Sequence, residues 1–205
     1  MTTEPPTPYS RRRWIGATLA SCGGLVLGGL ARGEQAAKAT PDGYTKPGPV
    51  TDLSLAPGLK ARELSALPNG EKTYVLTFAK GDEVMSGLTA FAAQQKVTAG
   101  YFTAIGALRR AKFGWFDLAH QAYRNIPVEE QVELISLIGN FGLINGHPQP
   151  HTHGAIALPD GQVRGGHLLE AVVFPTLEVF FTALPLTLIK KRDAQTALFL
   201  FDLAS

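Results

Sequence analysis

Apolar and polar positions alternate with a period of two through most of this chain, which predicts a molecule built mainly of strands. Thr73-Tyr74-Val75-Leu76-Thr77-Phe78 alternates as a half-buried strand should, and Lys80-Gly81-Asp82 punctuates it. One stretch departs from that period. Val84, Met85, Leu88, Phe91 and Ala92 recur at helical spacing, and with Asp82 as N-cap they predict a helix running to about Gln95. Beyond Val97 the strand pattern returns in short pieces, at 98–106, 108–117, 121–126 and 131–144, with a polar turn at His120-Gln121. A histidine-bearing hairpin follows, then 171–183 and a last apolar strand over 197–201. One early helix over many neighbouring strands predicts an α+β fold, a mixed, mostly antiparallel β-sheet with the helix packed on it.

At 205 residues, with 45% hydrophobic and 18% charged, the chain can bury one good core, and residues 61–205 are expected to form one domain. The N-terminal residues read differently. Arg11-Arg12-Arg13-Trp14 precedes a Gly-rich apolar stretch and then Ala37-Lys38-Ala39, the order of a secretory signal over 1–39 with cleavage at Ala39. The paired arginines Arg11 and Arg12, before so weakly hydrophobic a run, resemble a twin-arginine export motif and predict a periplasmic or secreted protein. Two other fates compete: retention of the segment as a membrane anchor, and lipidation of Cys22 in Leu19-Ala20-Ser21-Cys22. Residues 40–60, rich in Pro and Gly, read as an extended linker. Residues 1–39 hold five Lys/Arg and two acids, leaving 19 − 5 = 14 basic against 17 − 2 = 15 acidic groups, so the remainder carries −1. That charge weighs against a nucleic-acid partner. The single cysteine excludes an intrachain disulfide.

The candidate chemistry lies between His151 and His167. In a strand, His151 and His153 share a face. Pro159-Asp160-Gly161 is a strong turn signal, and a three-residue loop there places Leu158 opposite Gln162. Facing residue numbers then sum to a constant, His153 falls opposite His167, and all three imidazoles share one face. Such a cluster suits zinc, copper, nickel or iron, and three protein ligands leave a position open. A divalent transition metal, zinc first, is the expected cofactor. The plain alternative is three separately satisfied imidazoles, each bonded to a carbonyl or water.

Other polar residues are weaker candidates. Glu178, set in an apolar strand, reads as a hydrogen-bond partner of a metal-ligating histidine. In a regular register Glu170 lies on the opposite sheet face from His167, with a capping or subunit-contact role, but it is the other candidate to support a metal-ligating histidine, reaching a site built across subunits. His147 and His120 read as loop residues. Arg109-Arg110-x-Lys112 and Lys190-Lys191-Arg192 read first as solvated edges kept apart by charge, with an anion patch as the alternative for either.

His151-x-His153, read with Gly165-Gly166-His167-Leu168-Leu169-Glu170, resembles the plant-and-prokaryote conserved (PPC or PCC) domain, also found behind AT-hooks in plant nuclear proteins. Gly100 to Gly106, Gly114-Trp115-Phe116-Asp117, Leu134 to Asn140 and Thr176-Leu177-Glu178-Val179 occur in the family's order, so the resemblance spans residues 61–185. It implies a compact, largely antiparallel domain assembling as a homotrimer, with a three-histidine metal site that maps onto His151, His153 and His167. The plant members' AT-hook has no counterpart here, and their Gly-Arg-Phe-Glu-Ile-Leu segment reads Glu130-Gln131-Val132-Glu133-Leu134-Ile135. Three functions are therefore expected in order: an exported metal-binding module that takes a small molecule or anion at the open position; a metal-dependent hydrolase or lyase; and, by family association alone, a DNA-binding regulator. Membrane contact is expected only through an uncleaved N-terminal segment.

Overall fold

The computed structural model describes residues 40–204, and the expected export segment, with Arg11, Arg12 and Ala39, lies outside them. The strands are β1 (Tyr44–Thr45), β2 (Lys60–Ala66), β3 (Lys72–Phe78), β4 (Gly100–Asp117), β5 (Ala122–Val128), β6 (Val132–Ile144), β7 (His147–Ala157), β8 (Val163–Ala183), β9 (Ile189–Arg192) and β10 (Phe199–Asp202). The one helix among the described residues, α1 (Val84–Gln94), follows β3. The molecule is thus more β-rich than an α+β reading implies. No helix among the described residues is long and apolar enough to cross a membrane.

The two longest strands organise the sheet. β4 pairs with β6 and β5 in turn along one edge and with β8 along the other. β8 in turn pairs with β7 and then β3 on its far edge. Because β6 also pairs with β7, the path β4-β6-β7-β8 returns to β4 and the four strands close on themselves. Closure removes edges that would otherwise template aggregation. The stretches 98–106 and 108–117 are one strand rather than two, since bulges around Gly106 bend β4 without breaking it. Gly106 is required there: a Cβ would lie 2.5 Å from the Thr176 carbonyl oxygen.

Inside, Phe102, Phe141 and Phe181 are almost wholly buried, with the Phe102 and Phe181 rings stacked at 6.1 Å. Each such side chain contributes about 1.5–3 kcal/mol on burial. Phe91 of α1 meets Phe181 edge-on at 5.3 Å, which ties helix to sheet. The helix cap is Glu83, whose carboxylate accepts from the Met85 and Ser86 amides, rather than Asp82. Asp82 instead accepts from the amides of Gly58 and Ala79, closing the loop before the helix.

The segment expected to be an extended linker is fastened to the domain. Val50 donates to Gln149 Oε1 at 2.7 Å and accepts from Gln149 Nε2. Further along, the Leu55 amide donates to Ser86 Oγ and the Leu55 carbonyl accepts from the Glu83 amide. Proline and glycine deny this strap regular structure, but not partners.

Candidate metal centre

The bend that creates the site has the expected form. Leu158 and Gln162 close a three-residue loop through Leu158 N–H to the Gln162 carbonyl, and Gly161 takes φ +81°. Asp160 accepts from the Gln162 amide at 3.0 Å and fixes the corner. Counting back, Ala157 pairs with Val163 and His153 with His167. A turn one residue longer would have sent His167 to the other face.

The three ring-centroid separations among His151, His153 and His167 are 5.1, 5.3 and 5.3 Å. One ligand atom from each lies within 4.8 Å of the others. The Nε2 atoms of His151 and His153 are 3.2 Å apart, close to the roughly 3.3 Å edge of a tetrahedron with zinc–nitrogen bonds of about 2.05 Å. His167 Nδ1 is buried without a hydrogen-bond partner, and so is Oδ1 of Asn140, the residue opposite His151. Orphaned polar atoms beside clustered imidazoles are what a polar guest satisfies. The donor set therefore fits a transition metal.

The electrostatics favour the neutral imidazole a metal needs. Burial, followed by the charges of His151, His153 and Lys190, pushes the His167 pKa down from 6.5 to about 3. Burial also lowers that of His151, with His153 and Lys190 adding to it. Tyr123 stacks on His167 at 4.3 Å and 8°, fixing the ring plane, and its own burial raises its pKa to about 12.

The site opens into a cavity of about 720 Å³ whose lining includes the strap, Tyr123, His151, His167, Glu170 and Lys190. Glu170 reaches it through an irregularity. Phe113 pairs with Leu168 but Lys112 with Glu170, so β8 carries an extra residue at Leu169 and side-chain parity flips. The opposite-face expectation for Glu170 is thereby corrected. Its carboxylate pairs with Arg110 at 2.9 Å and Lys112 at 3.1 Å. Glu178 does not join the histidines. It is exposed, eleven residues beyond His167 on β8 and across from Thr77 and Ile105, or roughly 35 Å of strand away. His147 is exposed, and His120 is exposed and paired with Asp117 at 2.8 Å.

Two contributors escape the reading of the sequence. Tyr123 sits in an alternating strand with nothing to mark its contact with His167. Lys190 belongs to a basic run that reads as surface, yet only 6% of it is exposed. In β9 Ile189 and Lys191 face out and Lys190 faces in, an arrangement that nothing in the run Ile189-Lys190-Lys191-Arg192 marks.

The family described as "Plants and Prokaryotes Conserved (PCC) domain" matches residues 66–185, more than half of the chain. Solved structures agree. A plant- and prokaryote-conserved protein of Pyrococcus horikoshii is 29% identical with a TM-score of 0.61, over 70% of this chain and 94% of that one. A metal-containing protein of Archaeoglobus fulgidus is 31% identical with a TM-score of 0.60, over 64% and 93%. A Bacteroides thetaiotaomicron protein proposed to bind DNA shares the fold at 21% identity and a TM-score of 0.64, over 71% and 99%. No curated protein gives a significant match. Strand order, hairpin and family match agree, and the chain belongs to the Plants and Prokaryotes Conserved domain family.

Proposed function

We propose that this protein holds a divalent transition metal, zinc in the first instance, on His151, His153 and His167, and presents its open position to a small molecule or anion. The observation that carries this is the convergence of three ring nitrogens beside an unpartnered His167 Nδ1. The metal described in the Archaeoglobus relative supports it. When bound, the metal supplies a Lewis-acid centre; the chain's part is to orient the rings through Tyr123 and to shape the cavity. Elemental analysis of protein purified without chelator is expected to give about one metal per chain. A chain that stays metal-free even after incubation with zinc would overturn the reading. DNA binding is not favoured, because residues 40–205 carry 14 basic and 15 acidic groups and offer little phosphate neutralisation.

Assembly as a trimer belongs to the same proposal. Tyr101, Ile105, Ile138 and Phe180 are each more than half exposed on the outer sheet face. Register joins them: Thr103 pairs with both Ile138 and Phe180, and Ile138 pairs with His153. A contiguous apolar face running up to the metal ligands is what a second copy would cover. Light scattering is expected to give three chains, and Phe180→Asp is expected to yield monomers; a monomeric wild type would refute the assembly.

Export through the twin-arginine route is the remaining part. Arg11→Lys combined with Arg12→Lys is expected to leave precursor in the cytoplasm, and an unchanged periplasmic yield would contradict it.

A further inference from the structure

Lys190 is a buried cation with no counter-charge among the described residues. Its amine donates to the Gln149 carbonyl at 3.2 Å and lies 5.0 Å from the centre of the Phe201 ring. No carboxylate of the described residues pairs with it, whereas the next residue, Lys191, pairs with Asp202. Burial lowers its pKa to about 8, which still leaves the amine mostly charged at neutral pH. An ammonium buried without an opposite charge is costly, so such a group points to a missing anion.

The anion's place is narrowed by the neighbours. Lys190 lines the same cavity as His151 and His167, and its charge disfavours protonation of both. Arg110 and Lys112, also on that cavity, share the carboxylate of Glu170 at the surface. Glu83, another lining residue, is engaged by three backbone amides. Four cations (Lys46, Arg110, Lys112 and Lys190) and three carboxylates (Asp52, Glu83 and Glu170) line the cavity, and among these cations Lys190 alone is buried, beside the candidate site for a divalent cation. A volume of about 720 Å³ exceeds what a single inorganic ion fills and falls in the range of small-molecule sites. Val50, Ile144, Leu169 and Leu198 give it apolar walls.

We infer that the cavity binds an organic carboxylate, its head held between the metal and Lys190 Nζ and its apolar body against Val50, Ile144, Leu169 and Leu198. This rests on the metal reading above. It also goes beyond the shared domain: Val50, Lys190 and Leu198 all lie outside the matched residues 66–185. The β9–β10 hairpin that carries Lys190 seats on Gly142, where a Cβ would meet the Phe201 ring at 2.7 Å and the Leu188 carbonyl oxygen at 3.0 Å.

The test is calorimetric titration of the zinc-loaded protein with octanoate and with octanol, with metal content measured on the same samples. Octanoate is expected to bind the wild type and octanol to bind far more weakly. Lys190→Met, which keeps the length and removes the charge, is expected to hold its metal but to weaken octanoate binding roughly ten- to a hundred-fold, the worth of a charge-assisted hydrogen bond. A metal-loaded Lys190→Met protein that binds octanoate as well as the wild type, or a wild type that prefers octanol, overturns the ligand assignment and leaves the metal site standing. A wild type that takes up no zinc overturns both. An octanoate-induced rise in melting temperature, present in the wild type and lost in the variant, separates the same outcomes without relying on heats.

Discussion

Replacing His153 with alanine is expected to strip the metal from the purified protein while leaving the fold in place. His153 is the hub of the cluster: its Nε2 sits 3.2 Å from that of His151, and its backbone pairs with His167 across the hairpin. Without it, two imidazoles on different strands remain, and the loss is expected to exceed the 10- to 100-fold that removal of an outer hydrogen-bond partner costs. Because the side chain is exposed, its removal alone should move stability by no more than about 0.5 kcal/mol. The two readouts separate cleanly: metal per chain after dialysis should fall toward zero, and the melting temperature of the metal-free protein should hold. Metal content equal to wild type would show that these rings are not the ligands.

The second large effect is expected at Gly165. This residue pairs with Ala155 in the hairpin, and a Cβ placed on it would lie 2.2 Å from the Gly154 carbonyl oxygen and 3.0 Å from the Ala155 Cα. Both are backbone atoms of the neighbouring strand, so no side chain can swing aside. Gly165→Ala must push β7 and β8 apart between the bend and the paired histidines. A cost of about 3 kcal/mol is expected, at the upper end of overpacking penalties. For a domain of this size that is a fall of about 10 °C in melting temperature. Metal affinity should fall with it, since the displaced strand carries His167. Gly161→Ala provides the contrast: its Cβ would meet nothing within 4 Å, and only the φ of +81° resists it. A Gly165→Ala protein that melts like the wild type and keeps its metal would show that the hairpin register does not hold the site together.

What could be read from the residues, and what could not, divides along physical lines. The Pro159-Asp160-Gly161 bend was legible because turn chemistry is local, and once its length is set the pairing of His153 with His167 follows by counting. The helix was legible from the spacing of Leu88 and Phe91, though its cap shifted by one residue because Asp82 and Glu83 are both able to accept backbone amides. Glu170 was misplaced because an extra residue in β8 leaves no mark in the alternation. Glu178 misled through its apolar neighbours, although Leu177 and Val179 are wholly buried, and alternation then turns the residue between them outward. Lys190 was hidden by its charged company, since a basic triplet reads as a solvated edge when its middle environment is invisible. The strap was underrated because composition reports the absence of regular structure, while its bonds to Gln149, Ser86 and Glu83 are made by residues far away in sequence.

The strap and the β9–β10 hairpin come from opposite ends of the described chain, yet both wall the same chamber. The imidazoles, by contrast, all stand on the common scaffold. A chain trimmed to that scaffold would keep its three imidazoles and lose the room built around them, a hearth without a house. The shape of that room can therefore drift with the termini, by lengthening, shortening or exchanging them, while the histidine cluster stays untouched.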